Sequence, residues 1–183
     1  SSIGNAGYLL LGIAAASASG ESAVLYYLTG YLFSVLAAFC VLSIVSRNTE
    51  DEDISIVAGL HQRSPLLAAG LAMAMISLAG IPPLAGFFGK FYLFSAALHA
   101  GANHALLWLV ALGLVGSFVS LYYYLLVLKA IFVDPPLLAA ATPIDRAPPD
   151  FLQQATVAVL AAAVVFLGVM PNVLASRILA AIP

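Results

Sequence analysis

The stretch Ser77–Phe94, SLAGIPPLAGFFGKFYLF, places one charged side chain, Lys90, beside prolines and glycines in an otherwise apolar segment. Pro82 and Pro83 lack amide donors and interrupt the hydrogen bonding of a helix. Glycines permit unusual backbone dihedrals and close approach of neighbouring groups. The stretch therefore predicts a helix that is broken shortly before a lysine. The glycines of the predicted break are Gly80, Gly86 and Gly89.

The composition of the 183-residue chain decides its class, because 63% of the residues are hydrophobic and 8% are charged. Soluble domains carry about 25% charged and about 45–50% apolar residues. We therefore predict an integral membrane protein. Six basic residues, none of them clustered, and a net charge of -2 exclude a nucleic-acid-binding surface. A single cysteine, Cys40, excludes a disulfide within the chain and a Cys-rich metal site.

Six apolar segments are candidates for membrane helices, since about 20 residues are needed to cross about 30 Å of hydrocarbon. The sequence predicts an all-α bundle of about six transmembrane helices, one of them broken at the Pro/Gly run. The first segment has the character of a helix interior, so we expect further sequence upstream. Pro171 is predicted to end the last span, and an interfacial segment with Arg177 on its polar side follows. The predicted spans are 1–18, 22–46, 65–81, 84–100, 105–132 and 151–170.

The connections between these spans are polar or rich in proline. Residues 47–64 include four consecutive acids, Glu50 to Asp53, and 133–150 contain five prolines. A solvated loop is the favoured interpretation of the acids, because consecutive acids lack the spaced ligands of a calcium loop. A cation site is the alternative. Small residues at helical spacing predict close helix packing; they are Gly113, Gly116, Ser117 and Ser120 in one span, and Gly30, Ser34 and Ala38 in another.

Lys90 is the candidate functional residue, because a lysine at mid-bilayer costs roughly 2.5–3.5 kcal/mol on insertion scales. It lies about 9 Å into its predicted span, too deep to reach the interface comfortably. Lys129 avoids this cost because it lies near a span end. Irregular backbone at membrane depth survives only against protein or a water-filled cavity. We therefore predict that Lys90 transfers protons; the alternative is a fixed ion pair, whose acid would come from outside these spans.

Two further side chains are candidates for a proton path. Tyr124 continues the face of Gly116 and Ser120, so its hydroxyl could support a chain of water molecules. The alternative for Tyr124 is an interfacial belt with its neighbouring tyrosines. His99 could pass protons at an aqueous mouth, because histidine ionises near neutral pH; an ordinary interfacial histidine is the alternative. The chain has no histidine pair at metal-ligand spacing and no cofactor motif, so neither site is predicted.

The stretch SLAGIPPLAGFFGKFYLF closely resembles the signature of the subunit N family in bacterial NADH:quinone oxidoreductase, or complex I. SSIGNAGYLL, GYLFSVLAAF and SLYYYLLVLKAIF resemble flanking helices of that family in the same order. The proline-glycine run followed by lysine is typical of the antiporter-like superfamily, and GKFYLF favours subunit N. The resemblance implies that residues 1–183 form the C-terminal part of a fourteen-helix, proton-translocating membrane domain.

The resemblance also implies a function for the complex: electron transfer from NADH to quinone is coupled to proton pumping through Lys90, in an outward half-channel. It implies an enzyme subunit of the translocase class without a redox site, since NADH, FMN, iron–sulfur clusters and quinone belong to other subunits. It implies other complex I membrane subunits and lipid as partners, and the bacterial inner (plasma) membrane as location. Asn5 stands where many relatives carry a histidine. The alternatives are a secondary cation/proton antiporter and a scaffold with a fixed ion pair.

Overall fold

The computed structural model describes residues 1–47, 53–100, 106–135 and 150–181, and its regular structure in these ranges is helical. The predicted all-α class is thereby confirmed. Residues 50–52 of the acidic run, and most of the proline-rich connection, lie outside the described residues. The described α-helices are α1 (Ser2–Ala14), α2 (Ala18–Val45), α3 (Leu60–Arg63), α4 (Pro65–Ala79), α5 (Ala85–His99), α6 (Leu107–Phe132), α7 (Phe151–Val169) and α8 (Pro171–Ala181), with a 3-10 turn at Ile54–Val57.

Three of the described helices, α2, α6 and α7, are long and apolar enough to cross a membrane. Their outward faces carry large apolar side chains; Phe118 on α6, for example, is 79% exposed. Such apolar faces are suited to contact with lipid or with a neighbouring membrane helix, since neither of these surroundings contains the water that polar side chains would need. The chain is an integral membrane protein, as its composition predicted.

The two 15-residue helices α4 and α5 lie end to end along α2. Val41, near the C-terminus of α2, shares a buried cluster with Leu71 of α4. Tyr27, nearer the N-terminus of α2, shares a second cluster with Leu93 of α5. Each short helix is only about 22 Å long, so we interpret the pair as two halves of one broken crossing. The sequence had predicted two separate spans at 65–81 and 84–100.

The break between the two halves begins at Gly80, whose backbone is left-handed with φ +82°. Gly80 N–H donates to Ser77 O at 2.9 Å, and Ile81 N–H donates to Ile76 O at 3.1 Å. This pair of bonds ends α4 in a Schellman motif, which requires the left-handed residue that glycine supplies. Pro82 and Pro83 follow and cannot donate, so the helix does not resume until Ala85.

Helix α7 covers the break. A Cβ atom on Gly168 would lie 2.2 Å from Pro83 O, so the close approach of α7 requires glycine at that position. Tyr26 O–H on α2 donates to Leu167 O at 2.6 Å and fixes the same end of α7. The segment predicted to be interfacial forms α8, which begins at Pro171 and has no buried residue.

Candidate functional site

Lys90 is the sixth residue of α5, and its side chain is 5% exposed. Its Nζ donates to Leu78 O at 3.0 Å and to Ala79 O at 3.1 Å. These carbonyls belong to the last turn of α4, so the amine reaches back across the break to the other half of the crossing. The site thus lies where α4 ends, close to the middle of the broken crossing.

The break creates this cation site because the last four carbonyls of a helix have no partner within the helix. In α4 the Schellman motif satisfies Ile76 O and Ser77 O. Lys90 Nζ satisfies the other two, Leu78 O and Ala79 O. The C-terminal end of a helix also carries partial negative charge, which favours a cation. Two backbone oxygen atoms therefore hold the amine at this end of α4.

Gly80 is needed here for a second reason besides its dihedral angles. A Cβ atom on Gly80 would lie 3.0 Å from Cδ and 3.2 Å from Nζ of Lys90. Any larger residue would therefore press against the lysine side chain where it passes the end of α4. The glycine lets the amine approach the two carbonyls.

The remaining neighbours of the amine are also uncharged. Ser117 Oγ on α6 lies 3.4 Å from Lys90 Nζ. The ring centroid of Tyr8 lies 5.0 Å from Nζ, within the range of a cation–π contact. Lys90 forms no ion pair within 4.0 Å in the described part of the chain, whereas the more exposed Lys129 pairs with Asp134 at 3.2 Å. The charge of Lys90 is therefore not neutralised by an ion pair with any carboxylate among the described residues.

A pair of buried serines shapes the start of α5, which has no N-cap side chain of its own. Gly86 N–H donates to Ser77 Oγ at 3.1 Å, and the hydroxyl oxygens of Ser77 and Ser34 lie 2.9 Å apart. A Cβ atom on Gly86 would lie 1.8 Å from Ser77 O, and one on Gly89 would lie 2.7 Å from Tyr27 Cδ2. Both glycines are therefore contact points of α5.

A small cavity of about 10 Å³ lies beside the lysine, which is about the space that one water molecule needs. Two buried serines, Ser34 and Ser77, and Lys90 itself are among the residues that line it. The residues around it are Tyr27, Tyr31, Ser34, Ser77, Leu78, Gly86 and Lys90.

Tyr124 is buried and connects indirectly to this cavity. Its hydroxyl lies 2.5 Å from Ser1 Oγ, and Asn5 Nδ2 donates to Ser1 Oγ at 3.2 Å. Tyr27 O–H then donates to Asn5 Oδ1 at 2.6 Å. The structure therefore places Tyr124 at one end of a hydrogen-bonded series whose other end, Tyr27, lines the cavity beside Lys90.

His99 lies at the C-terminal end of α5, about 14 Å along the axis from Lys90. Its Nδ1 lies 2.7 Å from Ser95 O, and the ring is exposed. It borders a separate cavity of about 400 Å³ together with Ser19, Ser22 and Asn172. The structure therefore does not bring His99 to the lysine.

Three site residues were not predicted as such: Ser34, Ser77 and Ser117. Ser34 and Ser117 belong to stripes of small residues that the sequence analysis assigned to helix packing alone. A polar member of such a stripe, at the same depth as the lysine, was the available signal. The described residues also contain no group of three side chains suited to a metal ion.

The family model for NADH:quinone oxidoreductase/Mrp antiporter, transmembrane, matches residues 1–120, which include the break and Lys90. NADH-quinone oxidoreductase subunit N 2 of Acidobacterium capsulatum is 48% identical over 95% of this chain and 34% of its own length. Subunit N of Desulforamulus reducens is 42% identical over 96% of this chain and 35% of its own length. The chain spans about a third of the length of these relatives.

A chain of respiratory complex I from Thermus thermophilus, solved with bound aureothin, has a similar structure. The TM-score is 0.74 at 34% sequence identity, and the match covers 92% of this chain and 36% of the other. The broken crossing, the buried lysine and these likenesses lead to one conclusion. The chain belongs to the NADH:quinone oxidoreductase/Mrp antiporter transmembrane family.

Proposed function

We propose that the chain translocates protons in the membrane arm of a respiratory NADH:quinone oxidoreductase, with Lys90 as the group that takes up and releases the proton. The observation that supports this most strongly is a buried amine at the centre of a broken crossing, held by neutral partners. The names of the relatives and the match to a complex I structure support the assignment to that enzyme.

The proposed mechanism follows from the absence of a nearby carboxylate among the described residues. The carbonyls of Leu78 and Ala79 accept N–H groups from either the ammonium or the neutral amine, so they hold Lys90 in both states. Charges that approach from outside the described residues then decide the proton affinity. A carboxylate that comes near stabilises the ammonium, whereas a second cation drives release of the proton.

The redox chemistry is proposed to lie in other subunits of the complex, with NADH, FMN, iron–sulfur clusters and quinone. The chain would act as a subunit of a translocase, and its partners would be the other membrane subunits and the lipid bilayer. We place the complex in the bacterial plasma membrane, on the basis of the bacterial relatives.

A secondary cation/proton antiporter is the second candidate, because the matching family model includes antiporters by its description. Such a protein would exchange protons for a cation without NADH. The two candidates share the lysine site and differ in what drives the proton.

The test uses the complete protein that contains this chain, purified from its membrane and reconstituted in vesicles. The proposal predicts that it purifies with redox subunits and that NADH and quinone together acidify one side of the vesicle. Replacing sodium by choline is expected to leave that acidification unchanged. Proton exchange that needs sodium, proceeds without NADH and occurs in a protein free of redox subunits would instead establish the antiporter.

A further inference from the structure

The three hydrogen-bond partners of the Lys90 amine differ in what they can do. Leu78 O and Ala79 O are carbonyl oxygens, which only accept hydrogen bonds. Ser117 Oγ belongs to a hydroxyl group, which both accepts and donates. Building on the function proposed above, we propose that Ser117 is the direct partner through which Lys90 exchanges its proton.

Counting donors on the amine leads to this assignment. A lysine ammonium has three N–H donors, and the three partners accept one each. The neutral amine keeps two N–H donors and gains a lone pair. The two carbonyls cannot donate to a lone pair, so they retain the two N–H groups in both states. The position that changes therefore faces Ser117, whose hydroxyl accepts from the ammonium and donates to the amine.

The three hydrogen-bond distances of Lys90 Nζ agree with these different roles of the two carbonyls and the hydroxyl. The carbonyl contacts of Lys90 Nζ are 3.0 and 3.1 Å, whereas the contact with Ser117 Oγ is 3.4 Å. An N–H···O bond is usually 2.7–3.2 Å long, so the third N–H is the least strongly held. It is also the N–H that meets no helix-terminal carbonyl and therefore gains least from the end of α4.

The exchange step conserves protons and charge. One Nζ–H proton moves to Ser117 Oγ while the serine hydroxyl proton passes to a water molecule on its other side. The ammonium becomes a neutral amine, the serine is neutral before and after, and the water becomes hydronium. Proton uptake follows the same path in reverse.

The location of Ser117 suits a residue that passes protons between Lys90 and water. Lys90 is 5% exposed, whereas Ser117 on α6 is half-buried, so Ser117 is the more accessible of the two from outside the described bundle. The other neighbours serve this role less well. The ring of Tyr8 accepts no proton, and the hydroxyls of Ser34 and Ser77 form no hydrogen bond with Nζ.

The test compares Ser117→Thr with Ser117→Val in the complete reconstituted complex, because the two new side chains have nearly the same shape and only threonine keeps a hydroxyl. We expect Ser117→Val to slow NADH-driven proton pumping about tenfold or more, and Ser117→Thr to retain most of the rate. We also expect a larger solvent deuterium isotope effect in Ser117→Val, since proton transfer then limits the rate. Thr29→Val is the control, because the Thr29 hydroxyl bonds to Leu25 O of its own helix.

The outcomes separate this inference from the proposed function. Equal pumping rates in Ser117→Val and Ser117→Thr, together with loss of pumping in Lys90→Met, would overturn the role of Ser117 alone. Full pumping in Lys90→Met would overturn the proposed function itself. Assembly is checked by purification with the redox subunits, and Ser117→Ala, a smaller change at this half-buried position, replaces Ser117→Val if that variant does not assemble.

Discussion

At the scale of single residues, the amine of Lys90 depends on backbone atoms more than on side chains. Two carbonyl oxygens at the end of α4 take the place of the carboxylate that a buried lysine would otherwise need. Such a site leaves the amine bound whether or not it carries the third proton. A fixed ion pair would instead hold the lysine in its charged form.

Gly80→Ala tests the contact between the break and the lysine. Its left-handed backbone would cost an alanine about 1–2 kcal/mol, and the new Cβ would lie 3.0 Å from Lys90 Cδ. We expect a lower temperature of half-inactivation and slower proton pumping in the reconstituted complex. Gly7→Ala on α1 is the control, because apart from its chain neighbours and the nearby backbone of its own helix, no atom of the described residues lies within 4 Å of the new Cβ. Equal stability and pumping in the two variants would contradict the account.

Some features of the lysine site could be predicted from the sequence, and others could not. The depth of Lys90 and the role of its neighbouring glycines could be predicted, because a charged residue and small residues are easily recognised in an apolar stretch. Its partners Leu78 and Ala79 could not, because they contribute carbonyl oxygens that every residue has. The sequence identified Ser117 only as a small residue of a helix-packing stripe, since its distance from the lysine depends on how α6 packs against α5.

At the scale of helices, the broken crossing is the element that forms the site. Pro82 and Pro83 predicted the interruption, and the structure contains it. The sequence nevertheless assigned separate spans to 65–81 and 84–100, because each is apolar and nearly long enough. That α4 and α5 share one path along α2 follows from contacts distant in sequence, such as the one between Ser34 and Ser77.

Ser77→Ala tests how α5 starts. The change removes the hydroxyl oxygen that accepts from Gly86 N–H, and loss of a comparable helix cap costs about 1 kcal/mol. We expect a lower temperature of half-inactivation for the purified complex. Ser34→Ala is the matched variant, because it removes the other hydroxyl of the pair and leaves the bond between Ser77 and Gly86 intact. A larger loss in Ser34→Ala than in Ser77→Ala would rule out this capping role.

At the scale of the whole molecule, the described bundle closes around the break through contacts between α2 and α7. Composition alone predicted a membrane protein, because a chain with so many apolar and so few charged residues must carry apolar side chains on its outward faces. It could not predict which helices meet, since small residues permit many close approaches. Gly168 and Tyr26 acquire their roles only once α7 lies over the break.

Tyr26→Phe tests this closure. The buried hydroxyl of Tyr26 donates to Leu167 O at 2.6 Å, and an unpaired buried carbonyl costs about 1–3 kcal/mol. We expect a reduced temperature of half-inactivation, with proton pumping per NADH retained below that temperature. Tyr122→Phe serves for comparison, because the Tyr122 side chain is 68% exposed. Identical thermal inactivation of both variants would show that the α2–α7 contact does not stabilise the fold.

The central claim is that Lys90, the one charged residue buried among those described, exchanges a proton during turnover. Lys90→Met keeps an unbranched apolar side chain and removes the amine, so it leaves the two α4 carbonyls without their donor. The most direct measurement is the number of protons pumped per NADH oxidised, in vesicles that contain the assembled complex with Lys90→Met. The account predicts that this number falls below the wild-type value, whereas an unchanged number and rate would contradict it.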